Sequence, residues 1–382
     1  MKTDQIQRLL LLLLLGLTIN SCKQLTKAKD FITQPTAREK YERDFTGDPV
    51  QFKIWKQEFE RALGDSTAAI LPYTEQGFFG NQPWAYSYIL PLQQGEIAHF
   101  NIDTDSITAP IFLELFQMEG DSVPTYTSVL ANDKAEHQLA YTVEKTGNYK
   151  LVFQPGINLQ TSFNFSAFSE PLYHFPVSGK SSKAIQSYWG ASRDGGRRSH
   201  KGVDIFAPRG TPVVAATDGF VSSTGNRGLG GKQVWLRSGI FGNSLYYAHL
   251  DSIIAQRGQR VRTGDTLGLV GNTGNARTTP PHLHFGIYQN RRGAIDPFPY
   301  IKETDLPKPS ETLINIKTSR LVIQAARANL RSAASLQALK IGEAQNRDTL
   351  FLLGQSDRWM HVRTQDSLSA FVHESLVQPV GN

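Results

Sequence analysis

Four histidines and one aspartate lie close together in the sequence, in contexts typical of strands and turns. They are His200 and Asp204 in SHKGVD, His249 in LYYAHL, and His282 and His284 in PPHLHFGIY. Successive side chains of a strand point to opposite faces, so His282 and His284 point the same way, roughly 7 Å apart along the backbone. Imidazoles and a carboxylate form the ligand set that zinc prefers in catalytic sites, where three protein ligands leave one position for water.

The spacing alone does not assign separate tasks to these residues. The alternative for the H-x-H pair is two half-exposed strand histidines, and such a pair can also chelate a single ion. Four histidines and one aspartate exceed what one zinc ion needs, and a surplus imidazole could move protons. Zinc held by two histidines and one aspartate would leave a net positive site, which lowers the pKa of the bound water towards neutrality.

The order of the motifs resembles that of a known peptidase family. H-x-x-x-D, Y-x-H-L and H-L-H-F occur in this order, followed by Asp296-Pro297 and accompanied by the glycine-rich segments APRGTPVVAATDGFV and GDTLGLVGNTG. This pattern is similar to the lysostaphin/LytM-like peptidases of family M23. The lead NARTTPPHLHF differs from the shorter, often Ser/Gly-rich lead of the family. We therefore expect the rim of the cleft to differ from that of other members.

The resemblance implies a role for each motif residue. His200, Asp204 and His284 correspond to the zinc ligands of the family. His282 corresponds to the general base towards the bound water, and His249 to the histidine that stabilises charge on the developing tetrahedral intermediate. The division of tasks between His282 and His284 comes from the resemblance.

The function implied by the resemblance is that of an exported, Zn²⁺-dependent endopeptidase. Its substrate would be peptidoglycan, through hydrolysis of the peptide stems or cross-links of the bacterial wall. Some family members have lost zinc ligands, and the alternative function is therefore a non-enzymatic, wall-binding activator of other peptidoglycan hydrolases. A secreted protease acting on proteins would share the mechanism and differ in substrate. The complete ligand set of this sequence favours an enzyme.

Around these motifs the sequence predicts a mainly β chain with several domains. Residues 172–305 combine short strands with tight glycine turns, and we expect an antiparallel β peptidase domain of the M23 type. Residues 83–169 show a period of two and predict a β-sandwich accessory domain, in which the isolated His99 and His137 are not expected to be ligands. Residues 315–382 contain ANLRSAAS, TLFLLGQSDRWMHVRT and SAFVHESLV and resemble a bacterial SH3-like small barrel. Its partner would be a cell-wall or protein ligand, and the alternative is a purely structural cap.

A short helical segment is expected near the N-terminus, as a tether over residues 23–70. Its clearest helix is in GDPVQFKIWKQEFERALG, where Asp48 can cap the helix, Pro49 suits the first turn and Gly64 suits the end. Apolar residues recur at helical spacing, at Phe52, Trp55, Phe59 and Leu63. A stripe of this kind predicts a helix that docks on the body of the protein.

Residues 1–22 predict a signal peptide with a lipobox-like end. Basic residues precede an apolar run over residues 9–19, which is short for a bilayer span but suits a signal-peptide core. Small Ser21 precedes Cys22, the expected site of lipidation, although Asn20 is unusual for a lipobox. We therefore expect membrane attachment through an N-terminal lipid anchor and a location in the bacterial cell envelope, periplasmic or outer-membrane associated. The alternative is an ordinary signal peptide with an incidental cysteine.

The composition narrows the classes of function further. The chain of 382 residues is 40% hydrophobic and 19% charged, which is typical of a globular protein. Its formal net charge of +6 comes from dispersed basic residues, so no nucleic-acid partner is expected. Cys22 is the single cysteine, and no intramolecular disulfide can form.

The lipid anchor can be tested by replacing its acceptor. Cys22→Ser should leave hydrolysis of peptidoglycan unchanged while moving the protein from the membrane fraction to the soluble fraction. The reason is that buried acyl chains contribute about 0.8 kcal/mol per CH₂ to membrane binding. Fractionation of cells is the measurement, with Ser21→Ala as a neighbouring control that keeps the thiol. Unchanged membrane partition of the Cys22 variant would place the attachment elsewhere.

Overall fold

The computed structural model describes residues 30–31, 33–105, 110–120, 123–132, 136–239, 242–290, 292–308 and 320–380. The predicted leader and Cys22 lie outside these ranges. The described chain is mainly β with few helices, which confirms the predicted fold class at that level. None of the described helices combines the length and the apolar character needed to cross a bilayer.

The helices with defined bounds are α1 (Ala37–Asp44), α2 (Pro49–Gly64) and α3 (Phe298–Ile301). Helix α2 begins as predicted, since the side chain of Asp48 accepts a hydrogen bond of 2.8 Å from the backbone N–H of Val50. Trp55 is fully buried on the apolar side of α2, and its indole N–H donates to the carbonyl of Pro155 at 2.8 Å. Helix α2 therefore packs on the body of the protein through this side, while its role as a tether stays a prediction.

Eight strands precede the histidine motifs. They are β1 (Tyr73–Phe79), β2 (Tyr86–Leu92), β3 (Glu96–Thr104), β4 (Ile111–Glu119), β5 (Thr125–Ala131), β6 (Gln138–Thr142), β7 (Gly147–Pro155) and β8 (Thr161–Pro171). Strands β2-β7-β4-β5 form one sheet, and β1-β8-β3-β6 run in order along a larger one. Both sheets contribute to one hydrophobic core, with Leu113 and Phe153 from the first and Phe100 and Phe165 from the second. The assignment of residues 83–169 as a β-sandwich accessory domain stays a prediction, and β1 lies ahead of its predicted start.

The next part of the chain contains the motifs. Its strands are β9 (Ile185–Ser187), β10 (Ser192–Arg193), β11 (Arg198–Ser199), β12 (Val203–Phe206), β13 (Pro212–Val214), β14 (Gly219–Arg227), β15 (Gly231–Arg237), β16 (Ser244–Leu250), β17 (Ser252–Ile253), β18 (Arg260–Val261), β19 (Thr266–Leu269), β20 (His282–Gln289) and β21 (Gly293–Ile295). An antiparallel sheet has the order β18-β14-β15-β16-β20-β12-β9, with β21 paired to β20. A second sheet, β13-β19-β17, packs against it, and β10 and β11 form a separate two-stranded hairpin.

The last strands are β22 (Arg320–Ile323), β23 (Arg327–Arg331), β24 (Lys340–Gln345), β25 (Thr349–Ser356), β26 (Trp359–Arg363), β27 (Ser369–His373) and β28 (Val377–Pro379). They form the path β24-β23-β27-β26-β25, with β22 between β25 and β28. This path is open among the described strands, and the SH3-like barrel over residues 315–382 stays a prediction. At β25 the sheet continues into β1, where Gln355 pairs with Gln76.

A buried polar cluster lies at this junction. The carboxylate of Glu75 accepts hydrogen bonds from the hydroxyls of Tyr73 and Tyr88, the second at 2.8 Å, and its other oxygen lies 2.9 Å from Nδ1 of His361. Glu75 and His361 are each 1% exposed. Burial of an ionisable group is costly unless it is paired and hydrogen-bonded. The segments 83–169 and 315–382, predicted as separate units, therefore share a sheet, a core and a buried polar cluster.

Candidate active site

The register between two strands brings the motif residues together. Strands β12 and β20 are antiparallel, and Asp204 lies opposite His284 while Phe206 lies opposite His282. Directly paired residues in an antiparallel sheet project to the same face. The intervening Leu283 is fully buried in the hydrophobic core, because alternate residues of a strand point to opposite faces. Strand β20 therefore places its apolar residues in the core and its two histidines on the other face.

Three donor atoms converge on this face. Nε2 of His200 lies 3.0 Å from Oδ1 of Asp204 and 3.0 Å from Nδ1 of His284, and the last two atoms are also 3.0 Å apart. His200 and Asp204 are buried, at 5% and 7% exposure. The triangle is the group of His, Cys, Asp or Glu side chains in the described chain that could hold a metal ion. A tetrahedral zinc ion with bonds of about 2.0–2.1 Å separates its ligand atoms by roughly 3.3 Å, so the spacing suits such an ion.

The backbone around His200 decides what this triangle can bind. Nδ1 of His200 lies 2.9 Å from the carbonyl of Tyr188 and must donate its N–H there, because a carbonyl only accepts. When the ring is neutral, Nε2 presents its lone pair to the carboxylate oxygen of Asp204, which is also an acceptor; when the ring is protonated, the N–H of Nε2 donates to that oxygen. Two acceptors 3.0 Å apart repel unless a proton or a metal ion lies between them. The donor set therefore fits a divalent cation.

Electrostatics at the triangle are consistent with this fit. Burial on its own would raise the pKa of Asp204, but hydrogen bonds and charge interactions with His200 and His284 hold it well below the usual range of a carboxyl group. Burial also lowers the pKa of His284, against the opposing effect of Asp204. A neutral imidazole and an ionised carboxylate are the forms that bind metals.

The remaining two histidines lie beside the triangle. The ring of His249 is 5.1 Å from that of His282 and 5.8 Å from that of His284, measured between centroids. Nδ1 of His249 donates to the carbonyl of Thr273 at 2.9 Å, and Nδ1 of His282 donates to that of Pro280 at 2.9 Å. Each ring therefore keeps Nε2 as its second nitrogen for other partners.

The environment of His249 is unusual in two respects. Burial, with contributions from His284 and His282, lowers its pKa to about 4. Its backbone has a φ of 63°, a left-handed conformation that residues other than glycine adopt infrequently. Backbone outliers of this kind concentrate at functional sites, where the surrounding structure holds them in place.

The five residues line one open cleft of about 950 Å³. Its other walls include Arg193 and Lys201 on one side and the aromatic residues Trp235, Tyr246 and Tyr288. Clefts of this size with convergent polar groups are the usual form of ligand sites. The structure thus brings together all five motif residues predicted from the sequence, whereas Cys22 lies outside the described ranges.

Two supporting residues were not predicted from the sequence. Nη2 of Arg193, on the β10–β11 hairpin, donates to Oδ2 of Asp204 at 2.7 Å and to the hydroxyl of Ser187 at 2.6 Å. Arg193 thereby occupies the carboxylate oxygen that faces away from the triangle. No local pattern in WGASRDGG indicates this contact, because it depends on how the hairpin folds over β12.

Gly202 supports the site by its lack of a side chain. A Cβ at this position would lie 2.7 Å from a carbon and 2.8 Å from Nε2 of the His284 ring, and 2.5 Å from the carbonyl oxygen of Phe285. Real Cβ atoms do not approach so closely. The glycine in the segment H-K-G-V-D therefore allows strand β20 to bring His284 next to Asp204.

Comparison with known proteins identifies the class of this region. Residues 198–297 match the sequence model of peptidase family M23, and this part of the chain is an M23 peptidase domain. The L-Ala–D-Glu endopeptidase of Bacillus subtilis is 35% identical over 139 residues, which cover 34% of this chain and 42% of that protein. The peptidoglycan DD-endopeptidase ShyC of Vibrio cholerae is 38% identical over 103 residues, which cover 25% of this chain and 22% of that protein. The chain thus spans less than half the length of these relatives.

A solved structure gives a further comparison. The catalytic domain of lysostaphin from Staphylococcus simulans is 32% identical, and the match covers 30% of this chain and 90% of that domain, with a TM-score of 0.28.

Arg193 can be tested through metal affinity. Arg193→Gln should weaken the binding of Zn²⁺ by roughly 10- to 100-fold, because the loss of a hydrogen-bond partner of a metal ligand typically has an effect of this size. Competition with a chromophoric chelator measures the affinity directly. Arg198→Gln is the matched control, because it removes the same charge from the position across the hairpin. Equal affinities of the Arg193 variant and the unchanged protein would show that the contact with Asp204 does not position the ligand.

Proposed function

We propose that the protein is an exported, zinc-dependent endopeptidase that hydrolyses peptide stems or cross-links of bacterial peptidoglycan. The observation that supports this proposal is the triangle of donor atoms from His200, Asp204 and His284 beside two further histidines in one cleft. The M23 match of the same region and the peptidoglycan endopeptidases among its relatives agree with it.

In this proposal, His200, Asp204 and His284 hold Zn²⁺. When bound, the ion supplies Lewis-acid polarisation of the scissile carbonyl and lowers the pKa of a water molecule. The protein contributes orientation: the carbonyl of Tyr188 fixes the tautomer of His200, and Arg193 keeps Oδ1 of Asp204 turned to the ion.

His282 is the proposed general base. Its Nδ1–H is held by the carbonyl of Pro280, so Nε2 carries the lone pair that can take a proton from water. The ring of Phe206 stacks on it at 5.0 Å between centroids and limits its rotation. A base held in one orientation needs no reorganisation before proton transfer.

His249 is proposed to stabilise negative charge that develops on the substrate carbonyl. Because its Nδ1–H is engaged with Thr273, it can donate to an oxyanion only when Nε2 is also protonated. The pKa of His249 is low without substrate, so this proton must arrive as negative charge develops on the substrate carbonyl. The proton that His282 takes from water would be shared with His249, whose ring lies 5.1 Å away, and would pass to the leaving amine when the C–N bond breaks.

The activator alternative is weaker on the observed geometry. A protein that only docks on the wall does not need a buried triangle of donor atoms, a tautomer of His200 fixed by a backbone carbonyl, or a base fixed on another carbonyl. We further propose that Cys22 carries the lipid anchor and that the protein works in the cell envelope, periplasmic or associated with the outer membrane. The segment 315–382 is proposed to bind a cell-wall or protein ligand. A pull-down that compares the unchanged protein with a variant altered at the surface residues of this segment would test the proposal.

Release of fragments from peptidoglycan tests the proposed function. The protein should release stem-peptide fragments from purified sacculi, a chelator should stop the release, and added Zn²⁺ should restore it. Mass spectrometry of the released fragments identifies the bond that is cut. Equal release with and without the chelator would exclude a zinc mechanism, and no release under any condition would exclude the hydrolase.

Separate replacement of His282 and His284 tests the division of tasks between them. His284→Ala should lose both bound zinc and activity, since it removes a ligand. His282→Ala should keep most of its zinc, because three ligands remain, while the rate falls by about 10²- to 10⁴-fold or more. Metal analysis of both purified variants is compared with their rates. Loss of zinc from the His282 variant with retention in the His284 variant would reverse the assignment.

A further inference from the structure

Strand β16 breaks its alternation close to its end. Tyr247 and Leu250 are both fully buried in the hydrophobic core, although they are three residues apart in the chain. Successive residues of a regular strand point to opposite faces, so two residues three apart would not share one face. The strand therefore contains one extra residue between them.

The pairing of β16 with β15 shows where this extra residue lies. The register shifts so that two residues of β16, Ala248 and His249, lie opposite the single residue Gln233, which is the arrangement of a β-bulge. The φ of 63° at His249 is the left-handed conformation for which one type of bulge uses glycine. Without the extra residue, His249 would share the core face of Tyr247. With it, the ring lies in the cleft, 5.1 Å from that of His282.

The hydroxyl of Thr273 bridges the two strands where the bulge ends. It accepts a hydrogen bond of 3.0 Å from the backbone N–H of Lys232 and donates one of 2.8 Å to the carbonyl of Leu250. These two residues are the pair that closes the bulge. Gly231 makes room for the hydroxyl, since a Cβ at that position would lie 2.5 Å from its oxygen. A side chain from a third segment thus completes the hydrogen bonding of the backbone at the bulge.

The backbone of Thr273 contacts the same histidine. Its carbonyl accepts the N–H of Nδ1 of His249 at 2.9 Å, and its own N–H donates to the carbonyl of His249 at 3.4 Å. Thr273 is therefore bonded to the ring of His249, to its backbone and to the residue that follows it. One residue holds both the backbone that turns the ring into the cleft and the tautomer of that ring.

We infer that Thr273 is a positioning residue for the proposed hydrolysis, and that its hydroxyl maintains the bulge that turns His249 into the cleft. The inference rests on the proposed function, in which His249 stabilises charge on the substrate carbonyl. Without the hydroxyl, the N–H of Lys232 and the carbonyl of Leu250 lose this partner, and backbone groups that lack a partner away from water favour a rearranged backbone. Misplacement of a group at an active site by about 1 Å can slow a reaction by roughly 10²-fold.

Kinetics on soluble peptidoglycan fragments test the inference. Thr273→Val, which removes the hydroxyl and keeps a branched side chain, should lower kcat by roughly 10²-fold with little change in KM or in bound zinc. Thr273→Ser, which keeps the hydroxyl, should restore most of the rate. Thr211→Val is the matched control, because it removes a hydroxyl that donates to the carbonyl of Pro208 at 2.7 Å in the same part of the chain, and it should leave the rate unchanged.

A double variant shows whether Thr273 acts through His249. In protein that already carries His249→Ala, Thr273→Val should lower kcat little further, because residues that act as one unit have non-additive effects. The same fold-loss in both backgrounds would overturn the inference, since the hydroxyl would then act independently of His249.

Nuclear magnetic resonance of the ring gives a readout that does not depend on hydrolysis. In protein with nitrogen-labelled histidine, the ring correlations of His249 should show the proton on Nδ1 in the unchanged protein and in Thr273→Ser, and a mixture of tautomers in Thr273→Val. An unchanged ring pattern in Thr273→Val, or full activity of that variant, would overturn the inference and leave the proposed function standing. Absence of hydrolysis by the unchanged protein would instead count against the proposed function, and the ring signals would still decide whether Thr273 positions His249.

Discussion

The site depends on one unfavourable contact that the fold enforces. Three atoms with lone pairs, on His200, Asp204 and His284, are held 3.0 Å from one another. When the facing nitrogens of His200 and His284 are unprotonated, the side chains alone do not favour this approach. It is imposed by the pairing of β12 with β20 and by the backbone carbonyl of Tyr188. This carbonyl accepts the N–H of Nδ1 of His200, so the proton of the neutral ring is not on Nε2, the nitrogen that faces the triangle. The repulsion disappears only when positive charge enters the triangle.

The positioning of the site comes from two kinds of structure. Asp204 and His284 are neighbours inside a sheet whose other face is a close-packed core, so their separation is fixed by backbone hydrogen bonds. His249 lies near the end of β16 with a left-handed backbone, where its ring is oriented by a loop carbonyl. Asp204 and His284 are therefore held by the pairing of two strands over a core, whereas the ring of His249 is held at a strand end by one loop carbonyl.

Several features of the molecule were predictable from the sequence. Each was indicated by residues close together in the chain or by the order of motifs along it. Helix α2 was indicated by Asp48 and Pro49 at its start, and the common face of His282 and His284 by the two-residue period of a strand. Other features had no such signal. The carbonyls that orient three histidines belong to the backbone, which has the same chemistry at every residue. Arg193 meets Asp204 only after a hairpin has folded over a strand.

The sheet shared by β1 and β25 was also beyond sequence reasoning. Alternation along a strand predicts which face is buried, but it does not say which other strand will be the neighbour. The segments 83–169 and 315–382 each have a strand pattern consistent with an independent unit. In the structure, Trp359 and Phe371 of the later segment complete the core of the earlier one.

This shared sheet has a consequence for the order of folding. Glu75 and His361 are 286 residues apart in the chain, yet they are buried against one another. The M23 domain lies entirely between them and can form its own core first. During synthesis, β1 has no partner at one edge until β25 has emerged, and unpaired strand edges favour association with other chains. Contacts that close such long loops form slowly. The core of the segment between Glu75 and His361 can therefore be complete before the sheet that joins the two ends of the described chain is complete.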